Sequence, residues 1–187
     1  MSSPAQSPDG ILSNLVLVGF MGSGKTAIGK LAAKALGFQF LDTDQLLVNR
    51  AHRPIPEIFA TEGEEFFRNL ETDVIESLGH LRRCVIATGG GAVLREKNRN
   101  LLRNLGFVVC LTAREEVLFD RVSRNDKRPL LQTANPRQTL HDLLETRRTA
   151  YTEAAHWTLD TSEMPHAAVV EAVTAAARDA FAWTKKS

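Results

Sequence analysis

Residues Gly19-Phe20-Met21-Gly22-Ser23-Gly24-Lys25-Thr26 have the spacing G-x-x-x-x-G-K-[ST]. They follow the apolar run Leu15-Val16-Leu17-Val18 and open a helical pattern, Ala27 to Leu36. Strand, glycine-rich turn and helix in that order constrain the fold more than any other feature of the chain, because they are the context of a P-loop. Glycines let the backbone wrap closely enough for successive N–H groups to face an anion. The start of the following helix adds its positive dipole end. The loop amides of Gly22, Ser23, Gly24, Lys25, Thr26 and Ala27 are therefore candidates to cradle nucleotide phosphates. Lys25 would reach the β- and γ-phosphates as a point charge, and the Thr26 hydroxyl would hold Mg²⁺. A flexible turn that binds nothing is the plainer alternative, but it does not require the flanking strand and helix.

Five apolar runs with β character punctuate the chain: Leu15 to Val18, Gln39 to Leu41, Cys84 to Ala87, Phe107 to Leu111 and Trp157 to Leu159. Most lack clean alternation, as expected of strands covered on both faces. Helical patterns follow at Glu64 to Leu78, Arg95 to Leu105, Arg114 to Arg124, Pro136 to Glu153 and Pro165 to Trp183. The first of these places Phe67, Leu70, Val74 and Leu78 on one face, with Phe66 and Ile75 beside it. The alternation reads as an α/β protein with a parallel sheet. Two segments, His52 to Pro56 and Ser123 to Pro136, are polar or irregular, and are expected to project over the carboxyl ends of the strands, where ligands bind in such sheets.

At 187 residues, without repeats or a long linker, the chain reads as one domain. A net charge of +1 makes no bulk electrostatic case for nucleic acid or an anionic membrane. No apolar stretch approaches the ~20 residues of a membrane span. Met1 to Asn14 is rich in Ser and Pro and lacks basic residues, so it reads as a loose tail rather than a secretory or transit peptide. Cys84 and Cys110 each sit in a strand-like run; buried reduced thiols suit a reducing cytoplasm.

Four further stretches carry candidate chemistry. Asp42-Thr43-Asp44 ends the second run, and carboxylates leaving a buried strand must be hydrated, paired or ligating. Two apart on an extended segment, both would face one cleft; alternatively one of them caps a helix beginning near Gln45. Asp42 is the candidate for the usual second-strand Mg²⁺ carboxylate. Arg68 and Glu71, three apart on a helix, can pair, either at the surface or on the rim of an apolar pocket made with Phe59 and Phe67. Gly89-Gly90-Gly91 follows the third strand, where three glycines make sense if a ligand lies against the main chain. The basic set Arg121, Arg124, Lys127 and Arg128 precedes Pro129-Leu130-Leu131; it reads as a solvated loop or as a lid bringing Arg128 to a phosphate. Arg147 and Arg148 precede Tyr151 on one helix, and either could face inward.

Taken together, and over nearly the whole chain, these residues resemble the shikimate kinases. The P-loop is shared by many nucleotide enzymes. The specificity lies in the ordered set: Asp42-Thr43-Asp44, Phe67-Arg68, Gly89 to Gly91, Arg128-Pro129-Leu130-Leu131, and Arg147 four residues before a tyrosine. The resemblance implies a nucleoside-monophosphate-kinase-like fold with a five-stranded parallel sheet in the order 2-3-1-4-5. It implies a single kinase domain over 1–187 with a substrate-binding subdomain at about 42–72, a lid at about 123–138, and a disordered tail at 1–13. It implies ATP- and Mg²⁺-dependent phosphorylation of the shikimate 3-hydroxyl, in the pathway to chorismate and the aromatic amino acids, by a cytoplasmic enzyme that is a monomer.

Residue by residue, the same resemblance gives Lys25 and the loop amides to the ATP phosphates, Thr26 to Mg²⁺ directly and Asp42 to Mg²⁺ through water. Asp44 orients or deprotonates the attacking hydroxyl, while Arg68 and Arg147 clamp the shikimate carboxylate as planar forks. Gly89, Gly90 and Gly91 contact substrate, with Gly90 and Gly91 the donors. Arg128 closes onto the transferring phosphoryl group, and Arg121 stacks on adenine. Gluconate kinase shares the loop but is not expected to carry the triple glycine with these arginines. A GTPase-type switch needs N-K-x-D, which Asn125-Asp126-Lys127 does not supply. A catalytically dead homologue would lack some expected catalytic residue, and none is missing.

Overall fold

Strand β1 (Leu15–Val18) is wholly buried in the computed structural model of the chain, which describes residues 13–123 and 133–184, with side chains to 182. It lies at the centre of a parallel sheet ordered β2-β3-β1-β4-β5, where β2 is Gln39–Asp42, β3 Cys84–Ala87, β4 Phe107–Thr112 and β5 Trp157–Asp160. Val16 stands opposite Ile86 on one side and Val108 on the other. The strand order reverses at β1, so its carboxyl end opens into the crevice in which such sheets bind ligands. All five expected runs are strands, with β2, β4 and β5 one residue longer than the apolar pattern.

Alternate β1 residues enter different layers. Leu15 and Leu17 pack with Ile28, Ala32, Val169 and Val173 of helices α1 (Lys25–Leu36) and α7 (His166–Thr184). Val16 and Val18 pack with Ile75, Leu102, Leu118 and Leu140, contributed by α3 (Ile55–Ser77), α4 (Glu96–Leu105), α5 (Glu115–Ser123) and α6 (Pro136–Ala154). A third cluster, Leu47, Ile58, Phe67 and Val74, seats α2 (Thr43–Ala51) on α3. Covering both faces is what makes these strands continuous apolar runs.

At the amino end of the sheet, fully buried Asn14 ties three strands together. Its amide nitrogen donates to the carbonyls of Leu81 (2.8 Å) and Leu105 (2.9 Å), and its side-chain oxygen accepts from the Cys84 N–H at 3.0 Å. Its own carbonyl accepts from Phe107 N–H at 2.8 Å.

Three expectations need correction. Helix α2 starts at Thr43, and its cap is Asp42, whose carboxylate accepts from the N–H groups of Asp44 and Gln45. Asp44 is thus in a first turn, not on an extended segment. The stretch expected to be irregular ends at His52, in a left-handed conformation (φ 54°), and Pro54; helix resumes at Ile55, with Pro56 in the first turn, where a missing N–H costs nothing. That helix runs on to Ser77 through a break at Gly63 (φ 82°, ψ 177°), a backbone shape open essentially only to glycine. Finally, Phe66 is exposed rather than beside the core. Residues 1–12, and Arg124, Lys127, Arg128 and Pro129 to Leu131, lie outside the described residues, so the expectations for the tail and for Arg128 are left there. No helix among the described residues is long and apolar enough to cross a membrane.

Candidate active site

The P-loop turns out of β1 and into α1 with Gly22 (φ 81°) and Gly24 (φ 92°) in backbone shapes that side chains disfavour. No side chain caps the first turn of α1, so the positive end of the helix is left open to an anion. The Lys25 ammonium donates to the carbonyls of Gly19 (2.8 Å) and Phe20 (2.9 Å), curled over its own loop. Thr26 donates its hydroxyl to the Asp42 carboxylate at 2.9 Å. The other Asp42 oxygen caps α2. A hydroxyl and a carboxylate side by side at the end of a phosphate loop are hard oxygen donors of the type Mg²⁺ takes, so the residues fit that ion. Thr26, Asp42 and Asp44 line one cavity of about 420 Å³, with Lys30, Phe40 and Gln45. The two aspartates therefore do share a cleft, though a helix cap rather than an extended segment arranges it.

Asp44, Arg68 and the triple glycine converge. A methyl group placed on Gly89 would strike the Asp44 carboxylate, and one on Gly91 would strike the Arg68 guanidinium. None of Gly89, Gly90 and Gly91 has a positive φ, so the backbone itself does not require glycine here. The glycines make room for the two side chains that lie against them. The Gly89 N–H is taken by the Thr43 hydroxyl at 3.0 Å, and the Gly90 carbonyl by the Tyr151 hydroxyl at 2.6 Å. Among the described residues the N–H groups of Gly90 and Gly91 have no such partner, as expected of donors kept for a ligand.

Arg68 is held by Glu71 at 2.9 Å and by Glu64 at 3.2 Å, and lies over the Phe67 ring, whose other neighbour is Phe59 at 4.4 Å between centroids. Glu71 is buried, so this is not the surface pair that the spacing alone would favour. Burial pushes the Glu71 carboxyl above its ordinary value, and the Arg68 charge opposes that rise. Taking Arg68 away would strand the Glu71 charge out of water.

The helix phase of α6 decides between its two arginines. Arg147 is 8% exposed and sits 6.0 Å from the Phe20 ring centre, against the P-loop; Arg148 points to solvent and pairs with Glu145. Arg121 donates to the Thr161 carbonyl at 3.2 Å and reaches the Gly22 carbonyl at 3.5 Å, at the outer side of the same loop. Thr43, Tyr151 and Thr161 are site-lining residues that spacing did not single out for a role. Only packing reveals them, since each acts through one hydroxyl on a backbone group far away in sequence. Cys84 and Cys110 are free and buried, and burial pushes the Cys110 thiol up to about 11.

Comparison with known proteins gives this constellation a family. The family model described as shikimate kinase matches residues 21–178. The shikimate kinase of Thermodesulfovibrio yellowstonii is 43% identical over 87% of this chain and 93% of its own length. That of Geobacter sulfurreducens is 50% identical over 75% of this chain and 78% of its own. A solved structure, shikimate kinase from Acinetobacter baumannii in complex with shikimate, superposes with a TM-score of 0.82 at 41% identity, covering 87% of this chain and 90% of that one. The family model spans most of the chain and both relatives are matched over more than two thirds of their own length, so the chain belongs to the shikimate kinase family.

Proposed function

We propose that this enzyme transfers the γ-phosphoryl group of ATP to the 3-hydroxyl of shikimate, yielding shikimate 3-phosphate and ADP in the pathway to chorismate. The observation that carries the reading is the convergence of Asp44 and Arg68 on the triple-glycine loop beside the P-loop. A small hydroxylated ring acid offers a hydroxyl to the one and a carboxylate to the other.

Lys25 and the amides of residues 22–27 would hold the phosphates, while Thr26 directly and Asp42 through water would hold Mg²⁺, which when bound would supply charge neutralisation at the phosphate oxygens. Asp42 already spends both oxygens on Thr26 and the α2 cap, which favours the water-mediated role. Asp44 accepts the hydroxyl proton and aims the oxygen at phosphorus. Arg68 and Arg147 fork the carboxylate, as guanidinium groups suit a planar acid. The Gly90 and Gly91 N–H groups bind substrate oxygens; Gly89, its N–H taken by Thr43, contributes contact rather than a donor. Arg121 lies against adenine, and Arg128, outside the described residues, meets the transferring group from a lid at about 123–138. The subdomain at about 42–72 carries Asp44 and Arg68. Phosphoryl transfer passes through a loose transition state, so positioning and charge neutralisation supply the rate. We place the enzyme in the cytoplasm as a monomer, in keeping with its two free, buried thiols.

The test is ADP release from ATP with shikimate, gluconate or a nucleoside monophosphate as acceptor. Release with shikimate alone is expected. Release with gluconate and not shikimate would overturn the assignment.

A further inference from the structure

We infer that Tyr151 is a positioning residue: its phenol pins the Gly90–Gly91 peptide beside the Arg147 guanidinium, and so sets affinity for the acidic substrate. The inference rests on the functional reading above and deepens it.

Tyr151 is buried on α6, one helical turn beyond Arg147. Its hydroxyl donates to the Gly90 carbonyl at 2.6 Å, across 61 residues of chain. Burial raises the pKa of this phenol, and the Arg147 charge nearby opposes the rise. One phenol therefore donates to Gly90 and lies beside Arg147. The Gly90 carbonyl and the Gly91 N–H belong to one planar peptide unit and point in opposite directions. Pinning the carbonyl toward α6 thus aims the Gly91 N–H away from that helix. Thr43 holds the other end of the loop through the Gly89 N–H, so the loop is fixed from α2 and from α6. Without the hydroxyl, the 90–91 plane can rotate at glycine hinges that oppose such motion weakly. Arg147 also loses the group that spaces it from the loop.

Plain core packing by the ring would leave these consequences out, and the two roles differ in what they disturb. Gly90 packs 3.6 Å from the Met21 amide nitrogen (measured from a methyl placed on it), so a general loosening would reach the P-loop and weaken ATP as well. A positioning role weakens shikimate alone.

The experiment compares wild type with Tyr151→Phe, which removes one oxygen and keeps the ring. At saturating ATP, Tyr151→Phe is expected to raise the shikimate KM about threefold to tenfold, the range for one hydrogen bond. The ATP KM should stay within about twofold, and kcat should fall less than the shikimate KM rises. Tyr151→Met, which fills the space without a donor, gives the same readout should Tyr151→Phe not fold. An unchanged shikimate KM, or equal rises for shikimate and ATP, overturns the inference while leaving the functional reading standing. A wild-type enzyme without shikimate-dependent ADP release overturns both.

Discussion

Gly91→Ala probes the site through a single methyl group. The added carbon would stand 2.7 Å from Arg68 Nη2 and 2.8 Å from Cζ, inside the separation that such atoms tolerate, and closer still to Nη1. The backbone accepts alanine, because φ at Gly91 is not positive. Relief must come from Arg68, whose guanidinium is held at 2.9 Å by buried Glu71. Moving it aside would cost one or both of the bonds proposed between it and the substrate carboxylate. A charge-assisted hydrogen bond contributes about 1.5–3 kcal/mol, which converts to roughly 10- to 150-fold in shikimate KM. The ATP KM should stay within about twofold, since none of the phosphate-loop contacts is touched. Coupled ADP-release kinetics, with each substrate titrated at saturating levels of the other, reads both constants, and a melting curve reports folding. Gly90→Ala should cost less, because the nearest atom to its methyl is 3.6 Å away. A folded Gly91→Ala enzyme with wild-type shikimate KM would falsify the role given to Arg68.

Asp44→Asn keeps shape but not basicity; it should leave the ATP KM within about threefold and lower turnover by about 100-fold or more. Near-normal turnover would remove Asp44 from the mechanism. The two adjacent arginines should separate: Arg147→Ala raises shikimate KM by at least about tenfold, whereas Arg148→Ala, exposed and paired only with Glu145, stays within about twofold. Reversed effects would mean that α6 presents its other face. His156 accepts from the Val108 N–H at 3.0 Å through Nδ1, and burial, helped by the Arg103 charge, holds its pKa below the ordinary 6.5. A depressed folded value means that its stabilisation is complete above 6.5 and is lost as pH falls through the folded pKa. The melting temperature should therefore drop between about pH 7 and pH 5, and His156→Asn should flatten that slope. Parallel slopes in both proteins would reject the assignment.

The P-loop, the five strands and the helices that alternate with them were legible because each is local: apolar runs, glycine spacing and periodicity are written within a dozen residues. The features that were not legible depend on where distant segments meet. Helix α3 was read as starting at Glu64, because Pro54 and Pro56 look like breakers when they are in fact at a helix start, and Gly63 hides the continuation. Glu71 looked like half of a surface pair, since spacing reveals a partner but not the α4 and triple-glycine segments that cover it. The glycines were read as a place where a ligand lies against the main chain. That the approaching groups include the protein's own Asp44 and Arg68 needed the tertiary structure. Arg147 and Arg148 differ only in helix phase, which a buried Tyr151 one turn on could have fixed, had its inward direction been known.

Asn14 acts at the opposite end of the sheet from the chemistry. By tying β1 to the segments leading into β3 and β4 with four hydrogen bonds, it makes the floor of the molecule the stiff end. At the carboxyl rim the side-chain bonds join strand ends in pairs, Thr88 to Leu17 and Thr161 to Thr112, before the chain enters the site loops. A three-strand hub anchored at its base can let those loops adjust to two substrates in turn without the strands losing register. An enzyme of this design would feel damage at residue 14 first as a loss of fit for both substrates together, well before any single contact at the rim was touched.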